Sequence, residues 1–328
     1  MRASQLAERG RGSAWPVAGG LVTTAVLVAA VLAAGPAAAM VIPAPGGVPA
    51  GGPRAAPAAQ LAAGAAVGAP QAGVPVVDAR GGELVNASTG ARLWGKDVTR
   101  ARPMGSITKV MTALVVLRAG DLNRRIMVTR SAIRYVHRDG ASSAGLIAGD
   151  VLTARQLLEA MLLPSGCDAA YLLATSYGPG RRVFVAKMNA TARALGLTST
   201  YFTSFDGMPY PTEHSTYSSP ADLIRIGEQT MRYRLFRRIV AQRRYRLAAT
   251  ADHHRYVWHT TNHLIGSYRG ALGIKTGDTI AAGNCLLFAA ARDDRTLIGV
   301  VLHVDPNSNF AATFAAARHL LTWGFHRN

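Results

Sequence analysis

Residues 40–74 are almost entirely alanine, glycine, proline and valine, with one arginine and no aromatic side chain. Such a stretch has too little bulky apolar surface to offset the entropy of ordering it, so it is expected to be a disordered linker. Any packed core is thereby confined to residues 75–328. That length allows one large domain, and an apolar share of 49% over the chain supplies a substantial core. Ahead of the linker the character changes. Arg2, Arg9 and Arg11 precede an uncharged run from Val17 to Ala34, and Ala37-Ala38-Ala39 then has the small-residue pattern of a cleavage site. Residues 1–39 therefore read as a signal peptide or N-terminal anchor, with the positive flank kept inside and the remainder exported.

Lys and Arg outnumber Asp and Glu by 36 to 18, a formal charge of +18. Charge of this size raises nucleic acid as a partner, but an exported chain does not meet it, so no nucleic acid is expected. A membrane surface or an anionic cell-wall polymer suits the same charge. Membrane contact is expected only through the N-terminal segment, where that segment is uncleaved. A chain of this length does not need a staple, so Cys167 and Cys285 are expected to be free and buried or half-buried. The nine histidines show no H-E-x-x-H spacing, and neither a metal nor any other cofactor is expected.

Within residues 75–328 the pattern is mixed. Leu84-Val85 and Leu93-Trp94 flank the turn residues Ser88-Thr89-Gly90, the signature of two short strands. Apolar residues at helical spacing from Ile107 to Leu117 predict a helix stopped at Gly120. Residues 121–150 carry Gly140, Gly145 and Gly149 and read as loop with short elements. Thr153 caps a predicted helix bearing Leu157, Leu158, Met161 and Leu162 and stopped at Pro164. Helices over Ala169–Tyr177 and Arg182–Leu195 follow after short turns, which suggests a helical lobe. Ser219-Pro220 opens another, over about 221–233. The seven arginines between Arg232 and Arg246 read as a solvated face. Strands are expected over 271–276, 285–290 and 296–303, in an antiparallel meander, and a closing helix over 310–325.

Three short motifs carry the chemistry: Ser106-Ile107-Thr108-Lys109 at a helix start, Ser165-Gly166-Cys167 in a turn between helices, and Lys275-Thr276-Gly277 on a strand. A serine and a lysine three apart share one helix face, and the free amides of the helix start favour negative charge. That is the layout of a lysine-activated serine nucleophile. Each motif alone is weak; the ordered triplet in this context is strong. The stretch from about Pro75 to Phe325 resembles the serine D-alanyl-D-alanine carboxypeptidases, the low-molecular-weight penicillin-binding proteins of the peptidase S11 type. The likeness includes Lys109-Val110-Met111-Thr112-Ala113-Leu114, Tyr217-Ser218-Ser219-Pro220-Ala221-Asp222-Leu223, Gly273-Ile274-Lys275-Thr276-Gly277 and Leu321-Thr322-Trp323-Gly324-Phe325.

The resemblance implies an α+β fold of the penicillin-recognising serine transpeptidase/β-lactamase type: a five-stranded antiparallel sheet flanked by helices, beside an all-helical lobe, with the catalytic cleft between them. It implies Ser106 as the acylated nucleophile, Lys109 as the general base and Ser165 as the proton relay. Burial beside Lys275 would lower the Lys109 pKa and supply a neutral amine. Lys275, Thr276 and Gly277 would bind the substrate carboxylate, Cys167 its acyl side, and the backbone N–H groups of Ser106 and Asp278 would form the oxyanion hole. The partners implied are peptidoglycan stem peptides ending in D-Ala-D-Ala, and β-lactam antibiotics that mimic that end.

The chain departs from the family pattern at three places. Cys167 stands where asparagine is usual, Asp278 follows the Lys-Thr-Gly, and Asp305-Pro306-Asn307-Ser308-Asn309 lacks a carboxylate-binding arginine. Carboxypeptidase is the main expectation, with D,D-transpeptidase on the same site or a catalytically weak cell-wall-peptide binder as alternatives. Fast penicillin hydrolysis is not expected, because Glu213, the loop candidate for a deacylating base, is followed by His214-Ser215-Thr216 rather than the β-lactamase pattern.

Overall fold

The computed structural model describes residues 73–327, which lie within one compact unit, Val67–Asn328. The expected signal or anchor, and nearly all of the expected linker, lie outside the described residues. Among the described residues no helix is long and apolar enough to cross a membrane.

The chain opens with the hairpin β1 (Ala79–Asn86) and β2 (Arg92–Lys96). A 3-10 turn over Gly105–Ile107 then leads into α1 (Thr108–Ala119), ended by Gly120. The helical lobe follows: β3 (Arg125–Met127), α2 (Arg130–Asp139), β4 (Val151–Thr153), α3 (Ala154–Leu162), α4 (Cys167–Tyr177), α5 (Arg181–Ala194), α6 (Pro220–Met231) and α7 (Arg234–Val240). A two-stranded ribbon, β5 (Arg244–Leu247) with β6 (Tyr256–His259), comes next. The meander β7 (Ala271–Thr279), β8 (Gly283–Arg292) and β9 (Arg295–Val304) precedes the closing helix α8 (Ala311–Phe325).

The main sheet is antiparallel in the order β2-β1-β9-β8-β7, so β7 is an edge. Its layering follows from β8. Leu286, Phe288 and Ala290 join one core with Leu320 and Leu321 of α8. Cys285, Leu287 and Ala289 face the opposite way, into the core built with α1 and α6. Strict alternation puts successive side chains on opposite faces of a strand, and here both faces are apolar because both are covered. Phe288 is fully buried; truncating it to alanine would cost about 3–5 kcal/mol.

Local signals set the helix ends. Thr153 and Gln156 form a reciprocal capping box at α3, Ser219 caps α6 ahead of Pro220, and Gly140 ends α2 in the left-handed region at φ 58°. Two expectations are corrected. Residues 121–150 contain a true helix, α2, whose buried face is only Ala132, Tyr135 and Val136. The arginine-rich stretch is not merely a solvated face, because it holds α7 and β5: Phe236, Ile239 and Val240 are buried beneath the arginines of α7. In β5, Tyr245 and Leu247 alternate with exposed Arg244 and Arg246.

Candidate active site

Ser106 sits in the tight turn before α1, and Lys109 follows one turn later on the same face. Lys109 Nζ donates to Ser106 Oγ at 2.7 Å and to the Asp206 carbonyl at 2.9 Å. Lys109 is wholly buried and Lys275 nearly so, while Ser106 is half-buried. A lysine side chain in such surroundings is held where a flexible surface lysine never is.

Backbone packing fixes the serine. Gly277 on β7 is a glycine because the Ser106 turn occupies its side-chain space: a Cβ there would lie 2.4 Å from Met104 O and 3.0 Å from Ser106 N. On the other flank a Cβ at Gly207 (φ 90°) would meet Gly105 O at 2.0 Å. Gly105 in turn abuts Asp278, its missing Cβ falling 2.6 Å from Asp278 N. The backbones of the Ser106 turn and of Asp278 thus meet in one close contact. Asp278 is exposed, so its carboxylate has access to water.

Lys275 Nζ donates to Thr276 O at 3.1 Å and approaches Thr276 Oγ1 at 3.4 Å. Burial, with the Lys109 charge second, pushes the Lys275 ammonium down to about 7. Thr276 Oγ1 also lies 2.7 Å from Thr261 Oγ1, a hydroxyl that no sequence motif singled out.

Ser165 occupies a left-handed turn at φ 66° between α3 and α4, and Ser142 Oγ donates to its carbonyl at 2.8 Å. A cleft of about 630 Å³ is lined by Ser142, Ser165, Thr261, Thr276 and Asp278, and by one side of the β5–β6 ribbon. Cys167 lies within interaction distance of Lys109. It is buried at the start of α4, its Sγ 3.7 Å from Ser142 Oγ, and burial pushes its thiol up to about 11. Cys167 and Cys285 are both free.

Two further residues, Asp206 and Asp168, matter that sequence reasoning missed. Asp206 supplies the carbonyl that anchors Lys109, and its carboxylate accepts from Tyr135 Oη at 2.8 Å. Asp168 holds the cleft-side loop, accepting from Ser143 Oγ at 2.7 Å and from Ala144 N at 3.0 Å. The one signal pointing to Asp206 was the glycine after it. Glu213 accepts from Ala281 N at 3.2 Å and so ties the β7–β8 hairpin. Among the described residues no group of His, Cys, Asp and Glu has metal-binding geometry.

A serine hydroxyl held by an interior lysine is equipped for acyl transfer through a serine ester. The sequence pattern of D-alanyl-D-alanine carboxypeptidases matches residues 69–306. A D-alanyl-D-alanine carboxypeptidase of Streptomyces sp. strain K15 is 39% identical over 267 residues, 76% of this chain and 88% of that protein. The carboxypeptidase DacB2 of Mycobacterium tuberculosis H37Rv is 34% identical over 261 residues, 79% of this chain and 87% of the relative. Among solved structures, the Streptomyces K15 DD-transpeptidase matches with a TM-score of 0.73 at 38% identity, covering 78% of this chain and 100% of its own. The chain belongs to the D-alanyl-D-alanine carboxypeptidase family, peptidase S11, a family of serine hydrolases.

Proposed function

We propose that the chain removes the terminal D-alanine of peptidoglycan stem peptides through an acyl-enzyme on Ser106, outside the cytoplasm, and that β-lactams acylate the same serine. The 2.7 Å contact between Lys109 Nζ and Ser106 Oγ is the observation that carries this reading. Lys109 accepts the serine proton as Oγ attacks the carbonyl between the two D-alanines. The amides of Ser106 and Asp278 take the developing oxyanion; losing one such donor typically costs about 10²–10³ in rate. Ser165 passes a proton to the departing D-alanine nitrogen. Charged Lys275, with the hydroxyls of Thr276 and Thr261, holds the terminal carboxylate, a role suited to an ammonium and hydroxyl donors on a rigid strand edge. Water then hydrolyses the ester.

Gly277 is assigned to close approach between β7 and the serine turn rather than to direct substrate contact. Cys167, buried beside Lys109 and Ser142, is assigned to positioning Ser142 and the Ser165 turn. An amine in place of water would make the enzyme a D,D-transpeptidase, a reading favoured by the 38% identity to a protein titled DD-transpeptidase. A D-Ala-D-Ala peptide incubated with and without an amine acceptor, with products weighed by mass spectrometry, separates the two. A labelled penicillin is expected on Ser106 and absent from Ser106→Ala. A wild-type protein that takes no label would leave a cell-wall-peptide binder instead.

A further inference from the structure

The β5–β6 ribbon gives the cleft a wall that the reaction above does not use. Val257, Trp258 and His259 of β6 line it, and the register pairs Arg246 with Val257 and Arg244 with His259. Directly opposed residues of an antiparallel pair project from the same face, so both arginines share the exposed face that carries Val257 and His259. Tyr245 stacks on Trp258 at 5.8 Å, on the other face. Arg244, Arg246 and His259 are exposed. Among the described residues neither arginine joins an ion pair, and the cleft lining contains a single carboxylate, that of Asp278. Unpaired guanidinium groups on such a wall are a site for carboxylate recognition.

Connectivity says which end of the cleft they serve. His259 leads through Thr260 to Thr261, whose hydroxyl lies 2.7 Å from that of Thr276. The ribbon therefore borders the end where the substrate carboxylate is assigned, through which the departing residue leaves and the next nucleophile enters.

We propose that Arg244, Arg246 and His259 form an acceptor subsite for a peptide amine that carries a carboxylate beyond its attacking residue. The subsite rests on the acyl-enzyme reading above. In the transfer step the amine lone pair forms a C–N bond to the acyl carbon, and the ester C–O bond to Ser106 breaks. That electron pair returns to Oγ, which takes up the proton released by the amine nitrogen. The carboxylate joins no bond change; held by the arginines, it keeps the amine beside the ester and shifts the partition from water to amine.

The test compares two acceptors of equal size, glycyl-glutamic acid α-amide and glycyl-glutaminamide, with a D-Ala-D-Ala peptide as donor. The ratio of transfer product to hydrolysis product is expected to be about threefold to fivefold higher for the glutamate acceptor, the range of exposed ion pairs. Arg244→Gln/Arg246→Gln is expected to abolish the preference while penicillin labelling and hydrolysis stay as in the wild type. In the wild type the preference is expected to shrink as salt is added, a readout that serves if the double variant does not fold. Equal ratios in the wild type, or a preference insensitive to both the substitutions and salt, overturn the subsite. An absence of penicillin label on wild-type Ser106 overturns the acyl-enzyme reading instead, and the subsite falls with it.

Discussion

Lys109 reaches Ser106 through a position that Asp206 defines: the Asp206 carbonyl accepts from Lys109 at 2.9 Å while the Asp206 carboxylate is itself held by Tyr135 at 2.8 Å. Lys109 is thus anchored by a segment far away in sequence, and that segment by the helix α2. Lys109→Ala removes the proton acceptor and is expected to slow acylation by labelled penicillin about 10²–10⁴-fold, the usual contribution of a general base. A near wild-type rate would refute the role.

Tyr135→Phe leaves the buried Asp206 carboxylate short of one donor, with an expected cost of about 1–3 kcal/mol. Thermal unfolding should show it as a lower Tm, and acylation should slow because Lys109 is less firmly placed. An unchanged Tm would mean that the hydroxyl is dispensable.

Gly277→Ala and Gly207→Ala place a methyl group against backbone rather than against a yielding side chain. Overpacking of this kind costs about 1–3 kcal/mol, and a shift of about 1 Å in a reacting group costs about 10²-fold in rate. Both variants are expected to fold with lowered Tm and to acylate far more slowly than the Tm loss alone explains. Full labelling rates in either would show that the turn tolerates displacement.

Two buried groups give the stability–pH curve opposite slopes. Burial raises the Glu159 carboxyl from 4.5 to about 7, so the native state binds more protons than the unfolded chain across that interval and stability falls as pH rises through it. Burial lowers Lys275 from 10.5 to about 7, so the unfolded chain binds more protons above 7 and stability rises from there towards 10.5. Glu159→Gln, which keeps an oxygen for the Gln242 amide at 3.0 Å, should flatten the acid-side slope and leave the alkaline one. Tm measured from pH 4.5 to 10 would reveal either slope missing. Substrate binding is expected to weaken above pH 7, where Lys275 loses the charge that holds the carboxylate.

Much of this was legible in the sequence, for identifiable reasons. The caps at Thr153 and Ser219 are local hydrogen-bonding devices, and β8 and β9 are long apolar runs, so these elements could be read directly. The Ser106 and Ser165 motifs were legible because each sits at an element boundary, and the mid-strand Lys275 motif because it follows them in order. What escaped is long-range. Helix α2 hides its short apolar face among arginines and polar residues, and β5 hides two inward side chains between arginines. Asp206 acts through its carbonyl, which no side-chain pattern reports, and Thr261 matters only because the fold sets it against Thr276. Cys167 drew attention through the motif it shares with Ser165, but its burial beside Lys109 and Ser142 follows only from the packing of α4.

The serine turn is gripped by glycines from two distant segments, Gly207 after α5 and Gly277 on the edge strand β7. The nucleophile is therefore assembled only when lobe and sheet have both closed around it. A covalent penicillin adduct on Ser106 then counts molecules that have completed folding, and a destabilised variant can be titrated for its native fraction by that adduct alone.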